Sequence, residues 1–124
     1  MGDFARLVPL DELAPDTTRV LDHRGQKVML VRLGDHVRAY DARCPHARTV
    51  IPEAPLLDGG LIECPMHGAL FSASDGARRD GPTCADLTAW PARVLDGWVE
   101  AAVPERVATT TWRPPSRGAR AQRE

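Results

Sequence analysis

Two short segments constrain this chain more than any others: Cys44-Pro45-His46 and Cys64-Pro65-Met66-His67-Gly68. Each offers one thiolate and one imidazole, and each carries the proline or glycine of a loop tip. Two soft sulfur ligands and two borderline nitrogen ligands are enough to hold a metal ion or an iron–sulfur cluster. Most of the remaining sequence reads as scaffold that must bring these two loops together.

With 124 residues, the chain is long enough for one hydrophobic core, but not for a core plus a second catalytic domain. Its apolar content of 43% and charged content of 27% place it among globular rather than disordered chains. The net charge of −1 gives no basis for binding nucleic acid or an acidic membrane surface. The charge is uneven, however. Residues 104–124 hold five Arg and two Glu, or +3, which leaves −4 for the body. With Pro114-Pro115, Ser116 and Gly118 and little apolar periodicity, this stretch reads as a mobile basic C-terminal tail, solvated rather than docked. The N-terminus lacks a basic region followed by an apolar run, and no apolar stretch reaches transmembrane length. The expectation is a cytoplasmic, monomeric protein with no membrane contact. Three cysteines, in a compartment that keeps thiols reduced, argue for a metal or cluster site rather than a disulfide framework.

Short strands with frequent turn signals predict an all-β sandwich or barrel. Phe4–Val8 reads as a first strand, and Pro9–Leu13 as a turn of helix. Thr17–Asp22 and Lys27–Leu33 follow as strands, the second mostly apolar and therefore central. Val37–Asp41 alternates and leads directly into Cys44. Asp58-Gly59-Gly60 is a turn, Leu61–Glu63 delivers Cys64, and Ala69–Ser72 is the return strand. Gly81-Pro82 makes Asp80–Cys84 an extended loop. Ala89–Leu95 and Trp98–Ala102 read as a last hairpin about Asp96-Gly97.

The ligand formula is Cys-x-His, seventeen residues, then Cys-x-x-His. Tetrahedral zinc fits it, and so does a two-iron cluster with two Cys on one iron and two His on the other. In the cluster, each loop supplies one ligand to each iron, which accounts for a Cys–His pair in each segment. Zinc fingers usually pair like with like and carry the His pair on a helix, whereas Gly68 and a strand-like run follow here.

These segments closely resemble the Rieske iron–sulfur motif. Asp58-Gly59-Gly60-Leu61-Ile62-Glu63, Phe71, Gly81-Pro82 and the Pro-Ala-Arg-Val run of the last hairpin extend the resemblance over about residues 4–103. It implies a Rieske-like antiparallel β-sandwich at 1–103, with a cluster-binding subdomain inserted at about 42–84. It implies one [2Fe-2S] cluster held by Cys44, His46, Cys64 and His67, with no catalytic residue. The implied function is a one-electron carrier between a flavin-dependent reductase and a terminal oxygenase, docking near His46 and His67. The potential should fall with pH where those imidazoles titrate. The oxygenase itself would need a further mononuclear iron site on a larger domain. A small subunit of a nitrite reductase or other oxidoreductase complex is the second reading, and a zinc-stabilised interaction module the third.

Membrane cytochrome-complex members of the family carry an extra Cys in each loop as a disulfide brace. Thr49 and Met66 stand at those places here, so no brace forms. Ala69 stands where those members have a Ser donor to the cluster, and the one Tyr, Tyr40, precedes the first loop. Fewer donors place the potential toward the low end of the Rieske range of about −150 to +300 mV, as in the ferredoxins of bacterial multicomponent oxygenases. Arg48 departs from the family's loop pattern and reads as outward-facing. Cys84 reads as a small packed side chain rather than a redox thiol. His23 and His36 read as turn residues, and Trp90 and Trp98 as core across the last hairpin. Pro45, Pro65, Met66 and Pro82 read as an apolar rim.

Overall fold

A computed structural model of the protein describes residues 4–45, 49–65, 68–80 and 85–105. The middle layer follows from one run of sequence. Val28, Met29, Leu30 and Val31 are four consecutive side chains with no exposure at all. Successive side chains on a strand point to opposite faces, so such a run must be covered on both sides. The strand that holds it, β3 (Gln26–Leu33), lies between β2 (Thr18–His23) and β4 (His36–Asp41), and the short β8 (Ala89–Trp90) extends β4 on its far side.

Each face of this four-stranded sheet has its own cover. Val28 and Leu30, with Val37 and Ala39 of β4, pack on Val8, Val99, Ala101 and Val103. Those residues belong to or directly follow a second sheet, in the order β1 (Ala5–Pro9), β10 (Trp98–Ala101), β9 (Ala92–Leu95). Met29 and Val31, with Tyr40 and Ala42, pack the other way, on Ile62, Phe71 and Ala73. These belong to or follow a third sheet, β5 (Leu61–Cys64), β6 (Ala69–Ser72), β7 (Arg78–Asp80). All strand pairings are antiparallel. The third sheet lies, in sequence, between β4 and β8, so it is an insertion in the β framework, as expected. Among the described residues there is no α-helix; Leu10–Glu12 form a single 3-10 turn.

Two expectations need correction. Ala89–Leu95 is not one arm of the last hairpin. Pro91 divides it into β8, which pairs with β4, and β9, which pairs with β10. The break falls where the chain leaves one sheet for another, at a residue with no N–H to give to a ladder. Trp90 and Trp98 therefore do not face each other. Trp90 is opposite Ala39, Trp98 is opposite Leu95 and Pro9, and both are only partly buried. The second correction is at Asp80, expected in a loop, which instead closes β7, formed from Arg78-Arg79-Asp80 with every side chain exposed. It has no apolar alternation to announce it and exists because β6 offers an open edge. The tail beyond residue 105, Arg48 and Cys84 lie outside the described residues.

Tyr40 pins the inserted sheet to the framework. Its ring is fully buried, and its hydroxyl donates to the Ala73 carbonyl at 2.7 Å. Gly76 lies against the ring: a Cβ there would stand 2.8 Å from Tyr40 Cε1, and its φ of +78° is itself costly for any other residue. Burial pushes the Tyr40 phenol up to about 12, with Arg38 opposing and Asp75 reinforcing the shift. The unfolded phenol ionises near 10, so the folded state holds its proton more tightly. This contribution to stability is whole below pH 10 and is lost as pH rises through 12. Tyr40→Phe, which orphans the Ala73 carbonyl, should cost about 1–3 kcal/mol in urea unfolding at neutral pH. It should also remove the part of the alkaline decline that belongs to Tyr40.

Candidate metal centre

The alternation that builds the strands also delivers the thiols. Tyr40, Ala42 and Cys44 occupy every second position and are all fully buried, so the inward side of β4 runs on past its last paired residue. Backbone bonds keep this extension in line: Ala42 N–H donates to the Lys27 carbonyl at 2.9 Å, and Ile51 N–H to the Ala42 carbonyl at 2.8 Å. Cys44 N–H donates to the Thr49 carbonyl at 2.8 Å, closing the loop at its base. On the inserted sheet, Ile62 and Cys64 of β5 face inward, opposite Phe71 and Ala69 of β6. Cys64 is thus the last inward residue before the second loop.

Cys44 and Cys64 belong to one contiguous group of buried side chains, with Ala42, Ile51, Ile62, Ala69 and Phe71 among its members. Their exposures are 0% and 1%, and neither is in a disulfide. The loops differ in construction. The first returns through the antiparallel bridge Arg43–Val50. The second turns within four residues, closed by Gly68 N–H donating to the Cys64 carbonyl at 2.8 Å. Gly68 has φ +74°, a conformation L-residues adopt only at a cost, but no described residue lies within 4 Å of where a Cβ would stand.

The other two expected ligands, His46 and His67, lie outside the described residues, as does Met66. What is described fits a cluster on its sulfur side. Two thiols from two loops are carried into one apolar layer, where inorganic sulfides would be kept from water. Among the described residues no group of three or more His, Cys, Asp or Glu gathers to hold a metal elsewhere. His23 and His36 stay apart from each other. They pair with Gln26 and Leu33, the two ends of β3, which puts them roughly 23 Å apart at the usual strand rise. His23 Nε2 is buried without a partner, and burial, helped by Arg24, holds the imidazole below its ordinary pKa. His36 is exposed.

Two of the positions considered as donors to sulfur are described. Ala69 is fully buried opposite Cys64 with no hydroxyl to give, and the Tyr40 hydroxyl is committed to Ala73. Thr49 is exposed, and no thiol is available there to bridge the loops. Pro45 is half-buried and Pro65 exposed; Pro82 lies outside the described residues.

Comparison with known proteins decides the family. Residues 4–91 match the model of the Rieske [2Fe-2S] domain. The chain belongs to the Rieske [2Fe-2S] family. That membership brings one [2Fe-2S] cluster. A relative, the biphenyl dioxygenase ferredoxin subunit of Pseudomonas sp. (strain KKS102), is 28% identical over 91 residues, covering 73% of this chain and 84% of that subunit. A chain in the complex of reduced oxygenase and oxidised ferredoxin of carbazole 1,9a-dioxygenase superposes with a TM-score of 0.73 at 27% identity. That match covers 84% of this chain and 96% of the other. A protein from Mycobacterium tuberculosis assigned as the small subunit of an NADH-dependent nitrite reductase superposes with a TM-score of 0.69 at 25% identity, over 88% and 99% of the two chains.

Sequence reasoning missed one feature beside Cys44. Arg43, next to Cys44, turns its guanidinium away from the thiol side onto Asp41 and Gln26. Its signal was an Asp-x-Arg-Cys run, which reads in sequence as ordinary surface charge. For the second loop, replacing Gly68 with Ala should cost about 1–2 kcal/mol through backbone strain, because no described residue would be struck. Urea unfolding checks this, and a much larger loss would mean that the open space is filled when the loop is closed.

Proposed function

We propose that this protein is a cytoplasmic one-electron carrier that takes electrons from a flavin-containing reductase and passes them to a terminal oxygenase. The observation that carries this reading is the convergence of buried Cys44 and Cys64, in a Rieske chain whose only other histidines besides those of the two loops stand at opposite ends of β3. Such a chain reads as an electron site, and its two remaining histidines are too far apart to serve one mononuclear iron of the kind an oxygenase would need. The similarity to a biphenyl dioxygenase ferredoxin subunit and to a chain of an oxygenase–ferredoxin complex supports the same role. No helix among the described residues is long and apolar enough to cross a membrane.

In this reading Cys44, His46, Cys64 and His67 would hold the cluster. When bound, it would supply a one-electron couple. The chain's own residues do the rest. Ala42, Ile51, Ile62, Ala69 and Phe71 keep water from the sulfur side. Cys44 and Cys64 are fixed by strand alternation, so their geometry need not reorganise between oxidation states. Exposed Val50 and Pro65, beside the two loops, offer apolar surface to a docking partner, and His46 and His67 would be the points of entry and exit.

A second reading, a nitrite reductase small subunit, is favoured by the likeness to the Mycobacterium tuberculosis protein. A complete Cys₂His₂ set argues for a working redox centre in either case. Reconstitution separates them. The purified protein with a flavoprotein reductase and a ring-hydroxylating oxygenase should support substrate turnover that stops when it is omitted. Turnover only with a nitrite reductase large subunit would replace the first reading by the second. The reduced protein should give an electron spin resonance signal with an average g below the free-electron value. Cys44→Ser, Cys64→Ser, His46→Ala and His67→Ala should each abolish the red-brown colour, and retention of the native signal in any of them would remove that residue from the ligand set.

A further inference from the structure

Next to Cys44 in the sequence lies a charged network outside the ligand set. Arg43 Nε donates to Asp41 Oδ1 at 3.0 Å, and one Nη donates to Asp41 Oδ2 at 3.1 Å. The same Nη donates to Gln26 Oε1 at 2.8 Å. The backbone N–H of Arg43 also donates to Asp41 Oδ1, at 3.0 Å, so one carboxylate holds both the main chain and the side chain of the residue preceding Cys44. Gln26 is itself buried, and its Nε2 donates to the Pro104 carbonyl at 3.2 Å. The network therefore ties three parts of the chain together: the root of the first loop, the start of β3, and the segment that follows β10.

Two properties set this pair apart from a surface ion pair. The Arg43 and Asp41 side chains are only 13% and 18% exposed, whereas Lys27–Asp22 elsewhere in the same sheet stands at 46% and 73%. Screening by water and salt is correspondingly weak. The contact is also a fork on both carboxylate oxygens, which fixes orientation as well as distance. A positive charge held this way, one residue from a cluster cysteine, acts on any charge that appears at the cluster. Asp41 offsets it from the far side of the same fork.

We propose that Asp41, Arg43 and Gln26 are positioning residues for the first cluster loop, and that the Asp41–Arg43 pair holds two opposed charges whose separate effects on the reduction potential offset each other. The inference rests on Cys44 being a ligand. Reduction adds one electron and hence one negative charge to the cluster. Arg43 favours that charge and Asp41 disfavours it. Together they nearly cancel, so each alone conceals the effect of the other. Gln26 carries no charge; it holds the guanidinium from behind and anchors it to Pro104.

The test is voltammetry of the cluster-loaded full-length protein, with the rate of cluster loss to a chelator followed by visible absorbance. Arg43→Gln leaves Asp41 uncompensated and should make reduction about threefold to tenfold less favourable, where tenfold is about 59 mV for one electron. Asp41→Asn leaves Arg43 uncompensated and should shift the equilibrium the opposite way by a similar factor. The double variant should return close to the parent. Arg43→Lys keeps the charge and loses the fork, so it should hold the parent potential while losing its cluster faster, and Gln26→Leu should behave likewise. If Arg43→Gln does not retain a cluster, Asp41→Asn against Gln26→Leu decides: the first should raise the potential and the second leave it. An unmoved or lowered potential in Asp41→Asn, or shifts of the same sign in both charge variants, overturns the proposal and leaves a structural clamp. The parent's electron spin resonance signal and its loss in Cys44→Ser are recorded alongside. A parent signal that survives in Cys44→Ser refutes the ligand reading, whereas a normal parent with unshifted variants refutes only the role of the charged pair.

Discussion

Four side chains in a row with no exposure, Val28 to Val31, demand a sheet with apolar cover on both faces, and the rest of the architecture answers that demand. One cover is the sheet that joins the first strand to the last two, through Val8, Val99 and Ala101. The other is the inserted sheet that carries the second cysteine. The metal centre is thus not an appendage on a finished sandwich. Removing the inserted sheet would expose Met29, Val31 and Tyr40, so the framework and the site share one hydrophobic interface. A chain of this size has little apolar surface to spare, and using the same burial for stability and for sheltering a cluster economises on it.

That shared interface explains how two thiols reach one place from loops distant in sequence. Neither cysteine depends on a flexible loop for its direction. Cys44 continues the inward row Tyr40, Ala42, and Cys64 continues the row begun by Ile62. The period-2 geometry of strands points both toward the same layer. Loop closure then needs only local bonds, from Cys44 to Thr49 and from Gly68 to Cys64. Building a site on strand ends gives more precise placement than building it on free loops, which suits a centre that must change charge without moving.

The sequence was most legible where alternation and turn chemistry agreed. The alternating run Val37–Asp41, the short strand at Leu61 and the apolar run at Lys27–Leu33 all became strands close to their expected bounds. The Cys–His pairing in each segment was enough to suggest a two-iron site, because order within a motif survives in sequence. Three features were illegible for different reasons. β7 is made of exposed Arg78, Arg79 and Asp80, and its reason for existing is the open edge of β6, a tertiary fact. Pro91 could be read as a bend within one strand, but only the two partners of its flanks show a change of sheet. The contact of Arg43 with Gln26 spans seventeen residues and depends on β3 running antiparallel to β4, so no local pattern contains it.

The same geometry bears on two positions that could have supplied a hydroxyl to sulfur, 69 and 40. A hydroxyl at position 69 would sit opposite Cys64 on the inward face, in the layer where Ala69 is packed without exposure. Tyr40 is close in sequence to Cys44, yet its hydroxyl is already spent on the Ala73 carbonyl, a bond that holds the inserted sheet in place. Moving that hydroxyl toward a sulfur would leave a buried carbonyl unsatisfied, at a cost of about 1–3 kcal/mol. The fold therefore uses its one tyrosine for structure. Fixed charge is another means of adjusting the electron affinity of the site. The described residue best placed to supply it from the first loop is Arg43, with Asp41 as its counterweight.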